Sequence, residues 1–521
     1  MIKKLFFGKK FSHYFQDGVH ERRPHPEVFR RIIKTNKLLQ QGATDEQVEE
    51  QSGISLRNYY QFFNKMSQRY GTVEEFKSEY KDLKKGGKEL FDKYKVKKAV
   101  GKLNALVLMV DFKDNEKDVT EPDKFNELLF ERGKNSLKDY YLENSGGKLE
   151  IDGELSDWFT AKHNYSNYVD SDNINRDTLR WEMPNATELV RETLTMAKNS
   201  FDDFKKFDNY DQGRLDLLII IYAGEGSHRT ANLEQITPHR NKLEKPIELE
   251  DGLIADNYIL INEIPSFDLG GFCHEVGHSL GLPDLYMPDF SSRVVGKWCL
   301  MGGGDYNNNG ITPGHLNAWC KTYLGWYDPI SIDDKPKKYE ISASNEDKII
   351  YKLEIPLSEG KEYFLVENRQ KYGFDEYIPA EGLLIWHVNQ RKYHHLFPNL
   401  DTDNLFISLE QADGKNELET RIFSQADVKK LKITEEDFKG DSGDVFPGET
   451  DNTAFNDQSN PNSRSVSGEK SGITIKDINK TGAVISAVMG IGNIEKEEFY
   501  SDDFLEGYKL GYGKGYNFIM K

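Results

Sequence analysis

The stretch His274-Glu275-Val276-Gly277-His278-Ser279-Leu280-Gly281-Leu282-Pro283-Asp284 carries the densest chemical pattern in the chain. Histidines four residues apart stand one above the other on a helix face, so both imidazoles can reach one cation. Glu275 lies on the adjoining edge, placed to touch a water at the ion rather than the ion itself. Gly281, three residues past the second histidine, can take a positive φ without steric cost and end the helix sharply. Pro283 bars the helix from resuming, and the returning chain can bring the Asp284 carboxylate to the same ion. Two imidazoles and a carboxylate suit zinc in a four-coordinate shell, with one position open for water. The alternative is a histidine pair satisfied by core or surface contacts, which has no need of Gly281 and Asp284.

Working outward, Lys297-Trp-Cys-Leu-Met301-Gly-Gly-Gly304 follows within thirty residues. Met301 on a glycine-rich turn can form an apolar floor under the imidazoles, although a methionine before glycines usually serves core packing. Upstream, residues 103–111 and 215–223 are continuous apolar runs, as in strands buried on both faces. Between them the pattern predicts a helix over 136–143 and a turn at Gly146-Gly147. Strands alternating with helices predict an α/β domain over 101–335. Beyond it, shorter alternating runs at 339–342, 349–355, 363–367, 383–388 and 473–478 predict a β-rich unit over 336–490. Residues 1–100 read as a helical segment. One helix is expected over 26–41, a short one opened by Thr44 and Gln47 in a capping box and stopped by Gly53, and a third over 55–69. The tail, 491–521, holds a Gly/Tyr-rich stretch without an assigned role.

The HExxHxxGxxD pattern with its downstream methionine turn resembles the metzincin clan of zinc peptidases, and more narrowly the immune inhibitor A (M6) family. The likeness extends to Ser136-Leu-Lys-Asp-Tyr-Tyr-Leu-Glu-Asn-Ser145, to the strand and turn 216–226, and to Leu282-Pro-Asp-Leu-Tyr286. It continues through Tyr363-Phe-Leu-Val-Glu-Asn-Arg369 and Gly382-Leu-Leu-Ile-Trp-His387, so that it runs over about 103–490. It implies a mixed α+β or α/β fold: a metzincin-like catalytic domain, a propeptide-like N-terminal segment and the β-rich C-terminal unit. It also implies a metalloendopeptidase acting on proteins or peptides, with zinc on His274, His278 and Asp284, Glu275 as general base and Met301 in the turn. Tyr306 and His239 are candidates for stabilising the oxyanion. The family uses calcium structurally, and Asp413, Asp441 and Asp444 are the loop carboxylates that could hold Ca2+. The resemblance points to a secreted enzyme.

Composition sets the bounds. At 521 residues the chain exceeds what one compact core sustains. A formal net charge of −18 repels nucleic-acid phosphates and suits a protein that binds cations, so no nucleic-acid partner is expected. No apolar stretch approaches the ~20 residues of a membrane span. The apolar run near Met1 is shorter than the ~7–15 residues of an export signal, which conflicts with secretion and leaves the compartment open. Three cysteines argue against a disulfide framework, and with none before Cys273 a cysteine-switch latency is excluded. Asp305-Tyr-Asn-Asn-Asn-Gly310 opens like a calcium loop, but Leu316 stands where the closing glutamate belongs, so a turn is expected. Gly440-Asp-Ser-Gly-Asp444 resembles a serine-nucleophile motif without the partners it needs. Two readings of another class are a catalytically quiet metal-binding recognition module and, for residues 47–55, a DNA-binding helix-turn-helix. Glu49 stands where that turn needs a small residue.

Overall fold

A computed structural model describes residues 99–492, except 116–118, 171–173, 176–179, 182, 202, 231, 233, 251, 266, 288–291, 334, 357, 393–397, 400–404 and 420–439, together with parts of 20–53. The helices expected over 26–41 and 55–69 and the tail fall wholly or largely outside these residues. The short helix Asp45–Ser52 is present. Thr44 and Gln47 exchange backbone-to-side-chain hydrogen bonds of 3.0 and 3.3 Å, and Gly53 closes it at φ 69°.

The run 103–111 forms strand β1 (Gly101–Asp111). The chain continues through α1 (Pro122–Phe130), α2 (Leu137–Asn144), β2 (Leu149–Thr160), α3 (Pro184–Ala197), β3 (Leu218–Glu225), β4 (His239–Glu250), β5 (Leu253–Ile264) and α4 (Leu269–Ser279). Ser136 and Asp139 make a reciprocal capping box that starts α2 where the pattern places it. The sheet order is β4, β5, β3, β1, β2, with the two-residue strand His20–Glu21 on the outer edge of β4. β1, β2, β3 and β5 run parallel, and β4 runs antiparallel to β5. The β4–β5 hairpin carries no strong alternation; it turns at Gly252, which takes φ 82°.

Period-two alternation divides the sheet between two layers. Ala105, Val107, Met109, Ile219, Ile221, Ile259 and Ile261 face the layer that contains Phe272, Cys273 and Val276 of α4. Leu106, Leu108, Val110, Ile220 and Leu260 face Leu189, Val190 and Leu194 of α3. Both faces being covered explains why the strands read as unbroken apolar runs.

Downstream lie α5 (Ala318–Tyr323), β6 (Lys337–Ile341), β7 (Tyr351–Glu354), β8 (Glu362–Arg369), β9 (Gly382–Asn389), β10 (Ile407–Leu409), β11 (Phe455–Asn456), β12 (Ile473–Thr481) and β13 (Val484–Ile491). One sheet runs β10, β9, β8, β7 and Ile330–Ser331; a second runs β6, β13, β12, β11. Their facing sides enclose Leu353, Phe364, Ile385, Ile475 and Ile485. The other side of the first sheet gives Leu365, Trp386 and Val388 to the same core as Trp298, Leu316 and Trp319. The β-rich unit is thus packed into the α/β unit across residue 335. Among the described residues no helix is long and apolar enough to cross a membrane.

Within this unit His387 bridges two carboxylates, with Nε2 3.0 Å from Glu362 and Nδ1 3.0 Å from Glu410. Burial works against its charge, but these hydrogen bonds and the carboxylate charges outweigh it and push the imidazole up to about 9. Arg391 also pairs with Glu362, and burial first, then Glu410, raises the Glu419 carboxyl. A pKa raised above the unfolded value means stability fully present below about pH 6.5 and lost as pH rises through about 9. Thermal melts between these values should show the parent chain losing more stability than His387→Gln; equal slopes would contradict the bridge.

Candidate metal centre

Helix α4 begins at Asp268, whose carboxylate accepts the Gly271 N–H. It lies against the segment Gly304–Gly310: a Cβ on Gly270 would meet the Asp305 carbonyl oxygen at 1.8 Å. Close packing at this end therefore requires glycine. At the other end Gly281 takes φ 96°. Its N–H reaches the His278 carbonyl, and the Leu282 N–H reaches that of Gly277, both at 3.0 Å. These paired bonds are a Schellman close, the geometry that reverses the chain and brings Asp284 back toward the helix.

His274, Glu275, His278 and Asp284 are all buried. The His274 and His278 Nε2 atoms are 3.1 Å apart. Asp284 Oδ1 lies 3.2 Å from the first and 3.3 Å from the second. His274 Nδ1 is 3.1 Å from the Leu300 carbonyl and His278 Nδ1 is 2.8 Å from the Leu282 carbonyl. A carbonyl can only accept, so each Nδ1 carries a proton, and in the neutral ring Nε2 then presents a lone pair. The Nε2–Nε2 approach is then a meeting of two acceptors, not a hydrogen bond between the rings.

Three electron-rich atoms at this spacing fit the corners of one coordination shell. Ligands at ~2.0–2.1 Å around a tetrahedral zinc stand about 3.3–3.4 Å from one another. The residues present fit the ion. Among the described residues this is the one group of three or more His, Cys, Asp or Glu whose ligand atoms converge within 4.8 Å.

The methionine turn lies directly beneath. Met301 is fully buried, and a Cβ on Gly277 would stand 2.7 Å from its sulfur. Met301 also accepts the Leu285 N–H at 2.9 Å, next to Asp284. Tyr286, not among the expected site residues, stacks near-parallel to His274 with ring centres 6.4 Å apart. Its place in the Leu282–Tyr286 motif was the available signal.

The other candidates sit elsewhere. His239 pairs with Leu260 and shares its side of the sheet, the face opposite α4. There its ring meets the Thr237 carbonyl and the Tyr258 hydroxyl. Strand alternation therefore removes it as an oxyanion group. Tyr306 lies in the segment against the first turn of α4, with the Arg229 guanidinium 5.9 Å from its ring. Asp305–Gly310 is the expected tight turn, with Asn308 and Asn309 both left-handed. Asp413 lies on one turn and Asp441 and Asp444 on a second that bonds to it, and Asp441 and Asp413 oxygens both approach Gly443. Asp413 pairs with Lys415 at 2.8 Å, and Asp444 accepts the Trp298 indole N–H at 2.8 Å. Cys273, Cys299 and Cys320 are buried free thiols.

Residues 89–326 match the sequence model of the immune inhibitor A peptidase M6 catalytic domain. This segment is similar to the catalytic domain of the M6 peptidases. Immune inhibitor A of Bacillus thuringiensis subsp. alesti is 28% identical over 234 residues, covering 38% of this chain and 34% of the relative. The pre-pro-metalloprotease PrtV of Vibrio cholerae serotype O1 (strain M66-2) is 24% identical over 402 residues, covering 62% of this chain and 42% of the relative. The alignments thus span between a third and a half of the length of these relatives. The matched M6 segment contains the whole histidine–aspartate cluster and the methionine turn.

Glycine at 277 and 270 follows from two close approaches of different hardness. Gly277→Ala must displace a methionine side chain and should cost ~1–3 kcal/mol. Gly270→Ala meets backbone and should cost more. Urea unfolding checks the order; neutrality at both positions would contradict this packing.

Proposed function

We propose that this chain is a zinc-dependent endopeptidase acting on proteins or peptides, with zinc on His274, His278 and Asp284 and Glu275 as general base. The observation that carries the reading is the convergence of two Nε2 atoms and one carboxylate oxygen within 3.1–3.3 Å, inside a segment similar to the M6 catalytic domain. Zinc, when bound, supplies a Lewis acid that polarises a carbonyl and draws the pKa of water toward ~7.

The remaining work falls to the chain's own side chains. The Leu300 and Leu282 carbonyls hold the two imidazoles in the tautomer that leaves Nε2 unprotonated. Met301 fills the space under α4 and excludes water from that side, and Tyr286 keeps the His274 ring plane fixed. Glu275 follows His274 on the same buried helix. It takes a proton from the attacking water and returns it to the departing amine as the peptide bond breaks.

We also propose that Asp413, Asp441 and Asp444 bind calcium as a structural ion. Burial first, then Asp441 and Asp413, push the Asp444 carboxyl up to about 7, and a cation would relieve that crowding. EGTA should lower the melting temperature and added calcium restore it; an unchanged melt would remove the site.

The catalytic reading predicts that Glu275→Gln retains one zinc per chain and cleaves casein ~10²–10⁴-fold more slowly. Cleavage at the parental rate would contradict the role of Glu275. Asp284→Ala should lose zinc under dialysis that leaves the parent loaded.

A further inference from the structure

The C-terminal β unit reaches the metal centre through a buried ion pair. Arg369, at the end of β8, and Asp375, six residues on, are both fully buried. The guanidinium engages both carboxylate oxygens, with Nε 2.6 Å from Oδ2 and Nη2 2.5 Å from Oδ1. Each partner also holds one flank of the segment that carries the methionine turn. Arg369 Nη1 donates to the Trp298 carbonyl at 3.2 Å. Asp375 Oδ1 accepts the His315 N–H at 2.9 Å, and the His315 carbonyl in turn accepts the Leu300 N–H at 3.0 Å.

The held segment then faces the ligands. The Leu300 carbonyl takes the Nδ1 proton of His274, and the Met301 carbonyl takes the N–H of Leu285 beside Asp284. Asn399 bonds the Leu285 carbonyl from the other side at 2.8 Å. Both non-adjacent ligands, one on the helix and one on the return loop, are therefore referenced to residues 300–301. A bidentate guanidinium–carboxylate pair fixes distance and angle together, which a lysine at the same place does not.

We infer that Arg369 and Asp375 are positioning residues for the metal centre, setting His274 and Asp284 through residues 298–301. The inference rests on the zinc reading above and makes the β-rich unit part of the metal site's framework. A bare structural role predicts only lower stability. A positioning role predicts weaker metal binding in protein that is still folded, because partners outside the ligand shell typically tune affinity by ~10–100-fold.

The test measures apparent zinc affinity by chelator competition on the full chain, for the parent, Arg369→Lys, Asp375→Asn and Ile475→Val. Ile475 is buried between the two C-terminal sheets and away from the pair. The expected result is a loss of about ten-fold or more in zinc affinity for Arg369→Lys, with kcat on saturating zinc falling more than KM rises. Ile475→Val should stay within about two-fold of the parent. If Arg369→Lys does not fold, Asp375→Asn is read in its place, since it keeps one acceptor for the His315 N–H. Parental zinc affinity in the folded variant, or failure of both variants to fold, would assign the pair to stability alone and overturn the inference. A parent that holds zinc but cleaves nothing defeats the peptidase reading while the affinity comparison still decides this one. A parent that holds no zinc defeats both.

Discussion

Two backbone carbonyls, those of Leu282 and Leu300, take the Nδ1 protons of His278 and His274. That commitment turns both Nε2 atoms into lone pairs aimed at one point, and much of the surrounding structure serves to keep the two carbonyls in place. Leu282 is held by the Schellman close of α4, which needs the positive φ of Gly281. Leu300 is held by the strand-like bond to His315 and, through it, by a charge pair in another part of the chain. The helix carries the two imidazoles, but loops on both sides set which ring nitrogen each one presents.

The charge pair would be a liability if it were incomplete. Arg369 and Asp375 lie in a fully buried cluster with Glu367, His315 and Lys321. Burial alone would raise the Asp375 carboxyl; Arg369, His315 and Lys321 hold it well below its ordinary value. Glu367 completes the set by accepting from Ala318 N–H and the Trp386 indole. Truncating one member of such a network leaves a buried charge uncompensated, at a typical cost of ~3–5 kcal/mol. This is why the Arg369→Lys substitution, which keeps the charge and changes only the fork, is more informative than removal.

Much of this was legible in the sequence because it is local. The His274–Asp284 stretch specifies its own helix, its own stop and its own return, so spacing and one glycine suffice to read it. The apolar runs at 103–111 and 215–223 announce a sheet covered on both faces; the second strand starts only at Leu218, with Arg214 joining the sheet through an isolated bridge to Ile254. The hidden parts depend on contacts far apart in the chain. Nothing in the Tyr363–Arg369 stretch reveals that Arg369 holds the Trp298 carbonyl seventy-one residues earlier. His239 misled for a related reason: its residue type suits oxyanion chemistry, yet strand register turns it to the face away from α4. Tyr286 was present in a quoted motif, but only the reversal at Gly281 lays its ring along His274.

On the proposed reading one ion is shared by two imidazoles and one carboxylate, with the neighbouring thiols taking no part. Zinc K-edge X-ray absorption on the metal-loaded chain tests it most directly. The expected result is one zinc per chain with nitrogen and oxygen scatterers at ~2.0–2.1 Å, the multiple-scattering pattern of two imidazoles, and no sulfur. A sulfur shell near ~2.3 Å, which would bring in Cys273, Cys299 or Cys320, would contradict it.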